Sequence, residues 1–291
     1  MINIQKTILD FCLGTLISNE DGSTIIRNSL LLNKPLMVAR FGSVEIKAVL
    51  YPRISFPLNY FIRKKIFKDM FINAGFFPVN NENIQRFSDL MIEDIKMLDI
   101  LGSWRVEECL LAKSLSHTIK VDLKSLEPYY STIPWTEALR NKRVLVVHPF
   151  NGTIEEQYFN NRRNIFANTN ILPDFKSLVT IKAVQTIGGN KTEFNNWFQA
   201  LESMKIKIEQ TSFDVAIIGC GAYGFPLAAH VKRIGKKAIH LGGATQILFG
   251  IRGNRWDSHP LISKYINEYW VRPKLEDMPL GASSVENACY W

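Results

Sequence analysis

Five short apolar runs, each closing on a turn that carries glycine or a polar side chain, constrain this chain more than any other feature. They are LMVAR (36–40), RVLVVH (143–148), LVTIKAV (178–184), DVAIIG (214–219) and KKAIHLG (236–242). They are too short for helices, rich in β-branched residues and nearly continuous in apolarity, which marks strands buried on both faces. Helical stretches read between them at about 43–51, 81–113, 153–167, 192–207 and 224–234. Alternating strand and helix implies βαβ crossovers. The expected fold is therefore α/β: a Rossmann-like, doubly wound, mainly parallel sheet. Region 52–135 shows helices without clear strands and is read as a helical insertion at about 52–135 beside the sheet. The whole chain, 1–291, is expected to form a single domain with a C-terminal tail at about 268–291.

The 291 residues are 46% hydrophobic, enough for a core of that kind. No apolar run approaches the roughly 20 residues needed to span a bilayer. The N-terminal MINIQKTILDFCLGTLISNEDGS is amphipathic and lacks the basic start and small-residue cleavage site of a signal peptide. Cys12, Cys109, Cys220 and Cys289 have no paired spacing, which suits buried, reduced thiols. A cytoplasmic protein is expected. Net charge is +8, from 35 basic against 27 acidic residues. The densest basic cluster is Arg63, Lys64, Lys65 and Lys68, within the aromatic segment NYFIRKKIFKDMFINAGFF. Such a segment suits peripheral contact with a membrane surface, although the simpler reading is the solvated face of a packed helix. No nucleic-acid-binding motif accompanies the charge, so no nucleic acid partner is expected.

In doubly wound sheets ligands bind where strands end and helices begin. Four such places stand out. Gly219, Gly221 and Gly224 form a G-x-G-x-x-G turn between a strand and a helix, where a backbone can approach a diphosphate and the helix N-terminus favours an anion. The following strand ends on His240 with no acid nearby, which disfavours a nicotinamide enzyme. The other reading of these glycines is close strand–helix packing alone. At the first strand's end, Arg40, Gly42, Ser43 and Glu45 place a carboxylate in a helix's first turn. It serves either as a metal or sugar ligand or as an ordinary helix-terminal glutamate behind a Ser43 cap. His148 and Asn151 project from the second strand end toward the same rim. Gly242 and Gly243 lead to Thr245, read as a helix cap, and then to Arg252 and Arg255, suited to phosphates, and Trp256, suited to stacking on a base or sugar or to anchoring its loop. No Ser-His-Asp order, Walker loop, H-E-x-x-H or C-x-x-C pair is present.

Across these pieces the chain resembles the GT-D-fold glycosyltransferases, particularly the GT-D-like proteins of bacterial capsule, O-antigen and cell-surface polysaccharide genes. The resemblance runs through LMVARFGSVE, KRVLVVHPFNGTIEEQY, ILPDFKSLVTIKAVQTIGG and DVAIIGCGAYGFPLAAHVKRIGKKAIHLGG. It covers most of residues 36–256 and is weakest over 52–135. It implies transfer of a sugar from a nucleoside-diphosphate sugar, UDP-linked, to an acceptor hydroxyl on a surface glycan or lipid-linked glycan, at the inner face of the membrane. In the better-described branch an Asp-x-Glu pair binds a divalent metal, manganese or magnesium, on the diphosphate. The matching residues here are Ser43 and Glu45, so Glu45 is the implied metal ligand and the aspartate is missing. On this resemblance Glu45 and His148 are the catalytic candidates. Gly219, Gly221, Tyr223 and Gly224 surround the donor, and Arg252 and Arg255 face its phosphates. Arg40, Gly42, Ser43, Asn151, His240, Gly242, Gly243 and Trp256 complete the substrate site. The competing class is a non-catalytic nucleotide or nucleotide-sugar binding protein, with Ser43 marking a lost active site.

Overall fold

Side chains on successive strand residues point to opposite faces of a sheet, and here both faces are covered. Along β1 (Leu36–Ala39), Leu36 and Val38 enter one hydrophobic core while Met37 and Ala39 enter the other. The same division holds in β4 (Arg143–His148), with Val144 and Val146 against Leu145 and Val147, and in β6 (Val215–Ile218), with Val215 and Ile217 against Ala216 and Ile218. Two-sided burial explains why these runs carry no polar alternation. The computed structural model describes residues 4–53 and 60–291. Residues 1–3 of the amphipathic N-terminal segment, residues 54–59 of region 52–135 (with Asn59 of the basic segment) and the side chain of Tyr60 lie outside the described residues.

Two helices, α1 (Ile4–Leu13) and α2 (Asn19–Leu31), precede β1, and α3 (Ser43–Leu50), α4 (Tyr60–Ile72) and α5 (Asn81–Ile95) follow it. Asn80 caps α5 by accepting from the Asn83 amide at 2.8 Å. Ile84, Phe87, Met91 and Ile95 recur at helical spacing to bury one face. The helix expected to run on to 113 stops at Ile95, and β2 (Ile100–Ser103) and β3 (Ile119–Asp122) follow. Region 52–135 is thus more than a helical insertion, since it supplies two strands of the sheet. Next come β4, α6 (Asn151–Glu156), a π-turn at Gln157–Asn161, α7 (Arg162–Ile165) and β5 (Ser177–Lys182). The remaining elements are α8 (Trp197–Glu209), β6, α9 (Gly224–Arg233), β7 (Lys237–His240), α10 (Thr245–Leu248) and α11 (Asn254–Asp257).

The seven strands form one all-parallel sheet in the order β3-β2-β1-β7-β6-β4-β5. From β4 the chain crosses outward to β5, whereas from neighbouring β6 it crosses inward to β7. The two connections diverge and leave a crevice at the strands' carboxyl ends, the place where open α/β sheets hold ligands. The tail closes over this edge without a long helix. The Trp291 indole donates to the Asp277 carbonyl at 3.1 Å, and Trp270 donates to the Ile165 carbonyl at 3.0 Å. Among the described residues no helix is long and apolar enough to cross a membrane. The four cysteines are unpaired. Cys220 and Cys289 are buried as expected, but Cys12 is exposed and Cys109 only half-buried.

Candidate functional site

A cavity of about 390 Å³ occupies the crevice, a size typical of small-molecule sites. It gathers residues far apart in the chain because every strand of a parallel sheet delivers its carboxyl end to the same edge. Arg40, Gly42, Ser43 and Glu45 enter from β1, His148 from β4, Gly219, Gly221 and Tyr223 from β6, and His240, Gly242 and Gly243 from β7; Arg255 reaches it from α11. Residues with no expectation attached to them also line it: Asn73 and Ala74 after α4, Trp104 after β2, Gln185 and Thr186 after β5, and Glu286, Tyr290 and Trp291 from the tail.

Glu45 is the third residue of α3, with Gly42 at the N-cap; the expected Ser43 cap is instead the helix's first residue. The Glu45 carboxylate folds back over Gly42 so closely that a β-carbon there would sit 1.8 Å from Oε2. Burial raises its pKa, opposed by the first backbone amides of α3 and by the charge of Arg40. The helix-terminal role and the cavity-lining role fall on one carboxylate.

Arg40 lies partly open to the cavity with its guanidinium 4.8 Å from the Trp104 ring centre. The Trp104 indole is fixed by donating to the Phe41 carbonyl at 2.8 Å. Behind them Glu108 is fully buried, accepting from Ser103 Oγ and from the Trp104 and Arg105 amides at 3.3 and 3.1 Å; burial pushes its pKa up to about 7. Arg255, the other cavity arginine, is tied to Glu286 and lies 4.9 Å from the Tyr290 ring centre.

His148 Nδ1 accepts from the Phe150 amide at 3.0 Å, so its proton sits on Nε2. Burial holds its pKa down at about 3. His148 is thus a neutral donor toward the cavity at ordinary pH rather than a base waiting to be protonated. His240 is likewise pushed to about 3, by burial first and then by Arg40, and its Nδ1 donates to the Ile218 carbonyl at 3.2 Å.

The glycine turn divides in purpose. Gly221 lines the cavity in the left-handed region at φ 54°, with only the Ala74 carbonyl, 3.6 Å away, near its missing side chain. Gly224 does not line it. A β-carbon there would fall 2.1 Å from His240 Cε1, so this glycine exists for helix–strand packing. Gly224→Ala should therefore lower unfolding free energy by about 3 kcal/mol, the upper range for overpacking. Denaturant unfolding checks this, and a midpoint equal to wild type would contradict it. Tyr223 stacks on Trp197 (4.9 Å between centres, 8° between planes), locking the turn to α8.

Three other expected site residues lie outside the cavity lining. Asn151 donates to Thr180 Oγ1 at 3.2 Å, outside the cavity. Arg252 is not among the lining residues, and Asp257 is 3.8 Å from its Nε. Trp256 is buried against Tyr290 (6.0 Å between ring centres) and anchors its loop. Thr245, expected as a cap, is the buried first residue of α10, whose N-cap is Ala244.

A resident metal fits these residues poorly. Among the described residues no three His, Cys, Asp or Glu side chains group to hold an ion. Ser43 offers only a neutral hydroxyl, and the Glu45 carboxylate is folded back over Gly42 at the start of its own helix.

The chain matches no family model and no curated protein. It is similar to two solved structures. One is a domain of unknown function 1792 (DUF1792), at 14% identity and TM-score 0.46, covering 82% of each chain. The other is described as a new glycosyltransferase (DUF1792) from Streptococcus sanguinis, at 12% identity and TM-score 0.41, covering 90% of this chain and 96% of that one.

Proposed function

We propose that this protein is a glycosyltransferase that binds a nucleoside-diphosphate sugar, UDP-linked, in the sheet-edge cavity and transfers the sugar to an acceptor hydroxyl of a surface or lipid-linked glycan. The observation that carries this proposal is the pairing, in one cavity, of anion-binding groups with a carboxylate of raised pKa. Arg40, Arg255 and the glycine turn before α9 supply the first, and Glu45 the second. A departing nucleoside diphosphate develops negative charge, which cations and helix N-termini stabilise in a site with little water. An acceptor hydroxyl needs a group to take its proton, and burial makes Glu45 a stronger base than an ordinary glutamate. His148, neutral and donating through Nε2, suits a sugar or phosphate oxygen. Trp104 and Tyr290 back the Arg40 and Arg255 guanidinium groups at the cavity wall.

β7, the strand following the glycine turn, ends on a buried neutral histidine instead of an acid, which leaves a nicotinamide ribose without its usual acceptor. The test is a thermal-shift screen of nucleotides and nucleotide sugars. UDP or a UDP-sugar at about 100 times its Kd should stabilise the protein by about 2.7 kcal/mol, with no shift from NAD. A shift from NAD and none from any nucleoside diphosphate would overturn the proposal.

A further inference from the structure

We infer that the anionic centre of the cavity is held by Arg40 in place of a metal ion. The inference rests on the proposed donor site, but it concerns which group of this chain meets the negative charge. Among the described residues Arg40 makes no hydrogen bond and no ion pair, although the other cavity arginine, Arg255, is committed to Glu286. A guanidinium carries five N–H donors, and leaving them unmatched in a partly dehydrated site is costly unless a ligand supplies acceptors. Its planar fork matches two oxygens of a phosphate at once. Trp104 lies against the guanidinium, and Glu108, accepting from the Trp104 amide, keeps that segment in place.

The carboxylates around Arg40 are engaged elsewhere, which is why they do not already neutralise it. Glu45 is folded back over Gly42 at the start of α3, Glu108 accepts from Ser103 and two backbone amides, and Glu127 accepts from the Tyr129 hydroxyl at 2.6 Å. The same commitments remove the hard oxygen ligands a magnesium or manganese ion would need. Among the described residues lining the cavity, Arg40 is thus a fixed cation that no carboxylate pairs, facing a space large enough for a diphosphate.

The experiment is calorimetric titration of the full-length protein with inorganic pyrophosphate and, separately, with UDP, in EDTA and in manganese. Wild type should bind pyrophosphate in EDTA with a Kd within about twofold of that in manganese. Arg40→Gln should weaken binding about 100-fold and Arg40→Lys about 10-fold, the losses expected for charge-assisted hydrogen bonds. Circular dichroism establishes that each variant is folded, and if Arg40→Gln is not, the wild-type EDTA titration and Arg40→Lys decide. Loss of pyrophosphate binding in EDTA, its absence in both media, or wild-type affinity in Arg40→Gln overturns the inference. Metal-free pyrophosphate binding without UDP binding supports Arg40 as the anion site and instead removes the nucleotide part of the proposed function. UDP binding that requires manganese does the reverse.

Discussion

Glu45→Gln is expected to lower kcat for sugar transfer about 1,000-fold, within the range for removing a general base, while leaving the fold intact. Glutamine preserves the shape that fits over Gly42 and keeps one amide oxygen facing the start of α3. What it loses is the negative charge and the capacity to take a proton. The structural loss is confined to a charge near a helix N-terminus, worth about 0.3–1 kcal/mol, so Tm should move by a few degrees at most. Because burial raises the carboxyl pKa, wild-type activity should fall on the acid side at a pH above the ordinary glutamate range, and this limb should be missing from the residual activity of the variant. Steady-state rates across pH, with Tm measured in parallel, separate the two roles. Wild-type turnover in the folded variant would reduce Glu45 to a helix-terminal residue and favour a protein that binds nucleotides without turning them over.

How far the sequence discloses this molecule depends on whether a residue's role is local. β4 is legible residue for residue because its four central residues are apolar and both ends are punctuated by a basic side chain. β2 and β3 are not. Ile100–Ser103 carries a glycine and a serine and comes soon after an amphipathic helix, so the helical periodicity runs on through it. Ile119–Asp122 is an edge strand of four residues, too short for alternation to register. The strand-end residues of the cavity are legible because parallel topology alone sends them to one edge. Trp104 is a strand-end residue too, but it goes unread with β2; Asn73, Glu286 and Tyr290 are brought there by tertiary packing, and only the aromatic chain end hints at docking. Arg252 and Arg255 show the limit of composition: both are basic, and only the fold turns one inward and pairs the other with Asp257. Gly224 fits a phosphate-turn pattern but serves the His240 ring, a distinction no motif contains.

That ring belongs to one of two buried histidines that make stability depend on pH in a way one variant can isolate. His148 and His240 are both held at about 3, against about 6.5 in an unfolded chain. Below pH 6.5 the unfolded state therefore binds protons that the native state refuses, and stability falls as pH falls, by about 1.4 kcal/mol per unit for each histidine. Buried acids act in the opposite direction. Glu108 at about 7 and Asp94 at about 6 take up protons in the native state first, so they offset the histidines down to roughly pH 4. Total stability should consequently be flattened between pH 7 and 4.5 and fall steeply below. His148→Asn removes one histidine while its Oδ1 can still accept from the Phe150 amide. The variant is less stable than wild type at pH 7, and that deficit should shrink by about 3 kcal/mol on going to pH 4.5, two units below the unfolded value at about 1.4 kcal/mol each. Denaturant unfolding at both pH values measures it. A deficit that stays constant would mean that His148 titrates alike in the folded and unfolded chain, contrary to a ring buried at the end of its strand.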